Sequence, residues 1–310
     1  MGGNHSHGHG HSHGHDHDHG HSHAPASFGT AFAVGIALNT AFVVVEATFG
    51  FLSGSMALVA DAGHNLSDVL GLIIAWGATV AARRPASARF TYGLKSSTIL
   101  AALANAMLLL FAIGAIAVET VNRLVTPTEP QGWTMIWVAG IGIVINTATA
   151  LMFARGRKSD INIRGAYLHM AADALVSAGV VIAGALILLT GAHWIDPLTS
   201  LVILLVIGWG TWGLLRDSVK MGLAAVPDGV DEGAVRGFLA SLPGVTLVHD
   251  LHIWALSTTE TALTAHLVIP GGHPGDGFLH SAADELKHHH RIGHVTLQVE
   301  TGEHPCGDCG

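Results

Sequence analysis

Residues 60–68 read Ala-Asp-Ala-Gly-His-Asn-Leu-Ser-Asp, and they stand inside a stretch, 56–82, whose only ionisable side chains are Asp61, His64, Asp68. A stretch of that length and apolarity is long enough to cross a bilayer as a helix. Ionisable groups inside hydrocarbon are costly and signal function by default. His64 and Asp68 are four residues apart, so a helix presents both on one face. The same spacing recurs in Leu-His-Met-Ala-Ala-Asp at 168–173, which puts His169 and Asp173 on one face of a second apolar segment. Turned towards each other, the two faces supply two imidazole nitrogens and two carboxylate oxygens, a closed tetrahedral set suited to Zn²⁺. The plainer alternative is a polar contact joining two helices. Two carboxylates facing each other in lipid, however, require a cation or protons.

The rest of the 310-residue chain suits a membrane setting. Half of it is hydrophobic and only 12% is Asp, Glu, Lys or Arg, with a mean hydropathy of +0.48. Soluble domains average about 25% charged residues; this excludes an ordinary cytosolic enzyme and a disordered chain. Apolar runs predict six membrane helices over about 28–50, 56–82, 96–121, 132–155, 162–190 and 197–218. The connections after the second and fourth carry Arg83, Arg84, Arg89, Lys95 and Arg155, Arg157, Lys158, Arg164, whereas the opposite loops offer only Arg123. The positive-inside rule therefore expects both termini in the cytosol. The simple topology points to a bacterial inner (plasma) membrane. Glu46 and Glu119 fall near helix ends, where interfacial solvation is expected, and Asp61 reads either as an outer-mouth residue or as a helix cap. Asn39, Asn65, Asn105 and Asn146 are expected to bond between helices.

Charge is unevenly spread. Residues 223–310 hold 3 basic and 11 acidic residues, which accounts for the whole formal charge of −8. Patterning there predicts an α-β-β-α-β order: a helix over 231–242, strands over 245–256 and 261–269, a helix over 276–290 and a strand over 294–300. The fold class is thus membrane all-α, six transmembrane helices, followed by a small α+β cytosolic domain. The segments divide as 1–27, a His-rich tail; 28–222, the transport domain; 223–303, the α+β dimerisation and regulatory domain; and 304–310, a Cys-x-x-Cys tail. An acidic surface suits a cationic partner, and no basic stripe suggests nucleic acid. The 23 histidines point to metal as well. The tract at 1–23 reads as a metal buffer or as a dispensable tail. Cys306 and Cys309 read as half of a soft-metal site or as incidental thiols.

Four motifs, in order, carry a family resemblance: Ala-Asp-Ala-Gly-His-Asn-Leu-Ser-Asp, the second His-x-x-x-Asp, Trp-Ile-Asp-Pro-Leu-Thr-Ser at 194–200 and Val-His-Asp-Leu-His-Ile-Trp at 248–254. From about residue 28 to 303 the chain resembles the cation diffusion facilitators. The resemblance implies a homodimeric exporter with a metallochaperone-like cytosolic domain, moving Zn²⁺ and similar divalent ions out of the cytosol in exchange for protons. It implies His64, Asp68, His169 and Asp173 as the transport site, with no organic cofactor. It also implies a regulatory metal site drawing on His249, His266, His280 and Glu300. Gln298 stands where some members have His, His252 and His294 are substitutes for it, and Cys306 with Cys309 resembles the terminal pair of a subgroup. His288, His289 and His290 look like a solvated helix end. The loop 83–95 contains neither His nor Asp, so no metal is expected there. A membrane-bound zinc sensor or store is the competing reading. A membrane zinc hydrolase would need a motif such as His-Glu-x-x-His, which the sequence lacks.

Overall fold

The computed structural model describes residues 30–126, 128–153 and 161–302. The His-rich tract, Arg155, Arg157, Lys158 and the Cys306/Cys309 pair lie outside them. Six long helices come first: α1 (Thr30–Ser53), α2 (Met56–Ala82), α3 (Ser97–Val125), α4 (Gly132–Phe153), α5 (Ile161–Thr190) and α6 (Ile195–Gly222). By length and composition, Ser97–Val125, Gly132–Met152, His169–Thr190 and Ile195–Gly222 can each cross a membrane, and Ala37–Ser53 is a shorter apolar piece of α1. Their outward faces carry apolar side chains such as Phe111, Leu189 and Trp209, which remain exposed. This is the pattern of a bundle solvated by hydrocarbon rather than by water.

Inside the bundle, Phe42, Leu58, Leu109, Met135, Ala139, Val180, Ile187 and Leu204 form one buried cluster drawn from all six helices. Because lipid is as apolar as leucine, association within a bilayer relies on close packing of small residues. The α4–α5 pair shows this directly. A Cβ at Gly132 would come within 2.9 Å of the Gly184 carbonyl, and one at Gly184 within 2.9 Å of the Gly132 carbonyl.

The turn between α1 and α2 fixes where α2 starts. Gly54 adopts φ +68°, which glycine does without Cβ strain. Ser55 then caps α2, its hydroxyl accepting from the Leu58 amide at 3.2 Å. The same hydroxyl donates to Asp196 Oδ1 at 2.5 Å, while the Met56 and Ala57 amides donate to the same carboxylate at 2.7 and 3.2 Å. Asp196, buried at the start of α6, thus supplies the anion that a helix N-terminus favours and ties α2 to α6.

The smaller region follows as α7 (Glu232–Ser241), β1 (Leu247–Ala255), β2 (Thr261–Val268), α8 (Asp276–His290) and β3 (His294–Glu300). Its sheet has the order β1-β2-β3, with β1/β2 antiparallel and β2/β3 parallel. Alternation sends Leu263, Ala265 and Leu267 into a core with Val235, Leu239, Leu286 and Ile292, leaving Thr264 and His266 on the other face. The β1–β2 turn meets the start of α3. Lys95 Nζ lies 2.6 Å from Glu260 Oε1, Ser96 Oγ donates to the Leu256 carbonyl at 3.3 Å, and the Thr258 amide donates to Thr98 Oγ1 at 3.1 Å. The end of the bundle where α2 finishes and α3 begins is therefore the domain side, and Met56 marks the far side.

Replacing Asp196 by Ala strips three donors of their acceptor. The expected cost is about 2 kcal/mol, read as a lowered midpoint in thermal unfolding of the detergent-solubilised protein, whereas Asp217→Ala, at an exposed ion pair, should leave the midpoint unchanged.

Candidate metal centres

On α2, Asp61, His64 and Asp68 fall on one face; on α5, His169, Asp173 and Ser177 do so at four-residue steps. The helices run in opposite directions, so the stripes pair as rungs. Asp68 Oδ2 lies 3.2 Å from His169 Nε2, His64 Nε2 lies 3.4 Å from Asp173 Oδ1, and the Ser177 hydroxyl donates to Asp61 Oδ2 at 3.1 Å. Within the helices, His64 Nε2 is 3.5 Å from Asp68 Oδ2 and His169 Nε2 is 3.7 Å from Asp173 Oδ2. Each imidazole therefore faces both aspartates, and the two rings stand edge to face with centroids 6.0 Å apart.

These separations suit a metal ion. A tetrahedral ion with N and O bonds of about 2.0–2.2 Å has ligand–ligand edges of about 3.3–3.6 Å. The four imidazole–carboxylate separations, 3.2–3.7 Å, bracket that range, with Asp173 meeting His64 through Oδ1 and His169 through Oδ2; His64, Asp68 and Asp173 bring one ligand atom each within 4.8 Å of one another. Exposure is graded along the rungs. Asp68 and His169, on the domain side, are each 24% exposed, His64 15% and Asp173 3%. Asp61 and Glu46, on the far side, are fully buried. The polar stripe is thus most exposed at its domain-side end.

Two sequence expectations change here. Glu46 is not solvated at an interface: it is buried, and Asn65 Nδ2 donates to its Oε2 at 3.2 Å. Packing of α1 against α2 decides this, which no residue spacing within α1 reveals. Asp61 neither opens to solvent nor caps α2, since Ser55 performs that role. Glu119 is exposed and pairs with Arg123 at 3.0 Å. Of the asparagines, Asn65 bonds to α1 as described and Asn39 Nδ2 lies 3.7 Å from Met170 Sδ. Both side-chain atoms of Asn146 are buried without a partner among the described residues.

The second cluster lies on the open face of the sheet. His249 of β1 is opposite His266 of β2, which is opposite Gln298 of β3, and Glu300 follows two residues along β3 on the same face. His249 Nε2 lies 3.0 Å from Glu300 Oε2, and His266 Nδ1 lies 2.9 Å from Glu300 Oε1. The two imidazole rings meet edge to face at 5.1 Å. His249 and Glu300 share a hydrogen bond, whereas His266 Nδ1 makes none among the described residues, and the three offer ligand atoms within 4.8 Å of one another, a set that could hold a metal ion. Sequence reasoning missed Asp250. A bulge between His249 and His252 gives Asp250 φ +50°, a conformation aspartate tolerates. Its carboxylate then reaches His266 Nε2 at 3.3 Å and His252 Nε2 at 2.9 Å.

Other expected members stand apart. His280 is 79% exposed on α8 and pairs with Asp284 at 3.3 Å, away from the cluster within this chain. His294 packs its ring against Tyr92. Gln298 donates to Glu300 Oε1 at 2.9 Å and so orients the carboxylate.

The cation efflux transmembrane domain model matches residues 32–221, and the model for the cytoplasmic domain of cation efflux proteins matches 227–302. The chain belongs to the cation efflux family. It is 36% identical over 274 residues to the metal cation efflux system protein CzcD of Cupriavidus metallidurans, covering 88% of this chain and 86% of that one. Identity to a cadmium, cobalt and zinc/H(+)-K(+) antiporter of Bacillus subtilis is 33% over 270 residues, 86% of each. Identity to the zinc transporter ZitB of Yersinia pestis is 36% over 280 residues, 89% of each. The cation diffusion facilitator resemblance is thereby established, and with it an integral membrane transporter rather than an enzyme.

In the cytoplasmic domain, partial burial raises the Glu300 pKa, but the hydrogen bonds from Gln298 and His249 and the charges of His249 and His266 outweigh it and hold the carboxyl below its ordinary value. Because the folded value is the lower one, this contribution is complete above 4.5 and disappears as pH falls through the folded value. Near-ultraviolet dichroism of the full-length protein, which senses Trp254 on β1, should show an acid transition below pH 4.5 that Glu300→Gln removes. An unchanged transition in that variant would refute the assignment.

Proposed function

We propose that this cation efflux protein exports divalent transition metals, Zn²⁺ foremost, from the cytosol in exchange for protons, by alternating access around His64, Asp68, His169 and Asp173. The observation that carries the reading is the crossed square of imidazoles and carboxylates between α2 and α5, with imidazole–carboxylate separations of 3.2–3.7 Å and His64, Asp68 and Asp173 able to share one ion. Borderline ligands of this kind accept Zn²⁺, Co²⁺ and Cd²⁺ with modest discrimination, in keeping with the ions named for the relatives.

The domain side is the cytosolic side on this reading, with both termini there, six membrane spans and residence in a bacterial inner membrane. Arg83, Arg84, Arg89 and Lys95 all fall on that side. The domain-side exposure of Asp68 and His169 then describes an inward-facing state. Arriving metal meets neutral imidazoles and ionised carboxylates and displaces whatever protons they hold. When the site opens to the far side, protons compete for the same atoms and release the metal. The chain works as a homodimer, with the bundle over 28–222 and the regulatory domain over 223–303. His249, His266 and Glu300 take a regulatory metal ion, with Asp250 within reach.

The test is zinc uptake into proteoliposomes carrying an internal zinc reporter, with and without an imposed pH gradient. Wild type is expected to show gradient-driven uptake, and Asp173→Ala to lower it to the protein-free background. Stoichiometric zinc binding without any wild-type flux would instead support a sensor or store.

A further inference from the structure

The loop between α2 and α3 contributes to neither metal centre, yet it carries charge that the fold leaves unanswered. Residues 83–95 read Arg-Arg-Pro-Ala-Ser-Ala-Arg-Phe-Thr-Tyr-Gly-Leu-Lys, four cations and no carboxylate. Lys95 is taken by Glu260 of the β1–β2 turn at 2.6 Å. Arg83, Arg84 and Arg89 are exposed, and none of them makes an ion pair or a side-chain hydrogen bond among the described residues. The acidic cytoplasmic domain of the same chain therefore answers one cation of the four.

The loop has a defined shape. Gly93 adopts φ +69° and lies against the Arg84 carbonyl, where a Cβ would come within 2.8 Å, so the two ends of the loop meet. The Ser87 amide donates to the Phe90 carbonyl at 3.0 Å and the Phe90 amide to Ser87 Oγ at 3.1 Å, which closes the tip. Arg89 and Phe90 are carried on that tip, and Phe90 is 52% exposed. Depth follows from the neighbouring span. α3 has 29 residues, about 44 Å at 1.5 Å per residue, which matches the roughly 40–45 Å of a bilayer with its headgroups. The loop that precedes Ser97 therefore stands at headgroup level. The opposite boundary is marked by Trp133 and Trp194, exposed at the starts of α4 and α6, a position typical of interfacial tryptophan.

We propose that the α2–α3 loop is a binding site for an anionic phospholipid, with Arg83, Arg84 and Arg89 holding the headgroup phosphate and Phe90 entering the acyl boundary beside it. Guanidinium forks match phosphate oxygens, and basic clusters next to a membrane span attract anionic headgroups. Phe90 selects the lipid over a free anion, because a headgroup brings acyl chains that give an exposed ring at this depth an apolar neighbour. The same loop is joined to the cytoplasmic domain, through Lys95 and Glu260 and through the Tyr92 ring against His294 at 5.4 Å. A headgroup held here steadies the surface on which that domain rests.

The experiment titrates full-length protein in detergent with phosphatidylglycerol or phosphatidylcholine and counts bound lipids by native mass spectrometry. Wild type should prefer phosphatidylglycerol, and the preference should weaken as salt is raised. The double variant Arg84→Gln/Arg89→Gln, which leaves Arg83 and Lys95 to favour the same membrane orientation, should bind phosphatidylglycerol about thirtyfold more weakly and with a shallower salt dependence. Phe90→Ala should lower affinity while keeping the wild-type salt dependence. Arg236→Gln, at an ion pair with Glu232 in the cytoplasmic domain, should change nothing. Zinc binding per chain should stay at the wild-type value in every variant, which shows that the bundle still folds. Equal wild-type binding of the two lipids at low salt would overturn the proposal without recourse to any variant. So would a double variant with wild-type affinity and salt dependence, or displacement of the lipid by inorganic phosphate alone. Wild type indifferent to lipid charge, but with a self-association that the double variant weakens, would assign the arginines to an acidic protein surface instead.

Discussion

Two aspartates brought face to face inside an apolar bundle set the terms for the rest of the molecule. Asp68 and Asp173 repel unless something positive lies between them, and burial makes each charge expensive unless compensated. Answering that demand takes two imidazoles at fixed positions on two helices, and the helices must themselves be held. α2 is held at its first turn, where the Asp196 carboxylate collects three donors. α5 is held along its length by α4, at the close approach of Gly132 and Gly184. The four side chains are therefore carried by elements anchored to different neighbours.

The cytoplasmic domain solves a related problem with different geometry. Its imidazole–carboxylate cluster is tighter: Glu300 lies 2.9–3.0 Å from both imidazoles and shares a hydrogen bond with His249, while His266 Nδ1 makes none among the described residues. The membrane cluster, with separations of 3.2–3.7 Å, is spaced more openly. The contacts of Lys95, Ser96 and Thr98 with the β1–β2 turn join the two strands that carry His249 and His266 to the start of α3.

Much of this could be read from residue order. The His64/Asp68 and His169/Asp173 pairs were legible because four-residue spacing fixes a shared helical face and because charge is conspicuous in apolar surroundings. The α-β-β-α-β order was legible from alternating patterning in 245–300. Three features were not. The burial of Glu46 depends on how α1 lies against α2, and nothing local distinguishes a glutamate near a helix end that faces headgroups from one that faces another helix. The turning of Asp250 towards His266 depends on a bulge that strict alternation forbids. His280 carries the right chemistry, but α8 packs so that this residue faces solvent. In each case the deciding quantity is a tertiary contact.

α4 and α5 are joined by backbone-to-backbone approach, whereas α2 and α5 touch along little more than the rungs between their polar stripes. On the proposed reading, the transported ion is then itself the principal fastener between two otherwise loosely joined parts of the bundle. Opening the far side means breaking that fastening, so turnover depends on how long the ion stays as much as on how firmly it is held. An ion whose residence outlasts the cycle would behave as an inhibitor rather than as cargo.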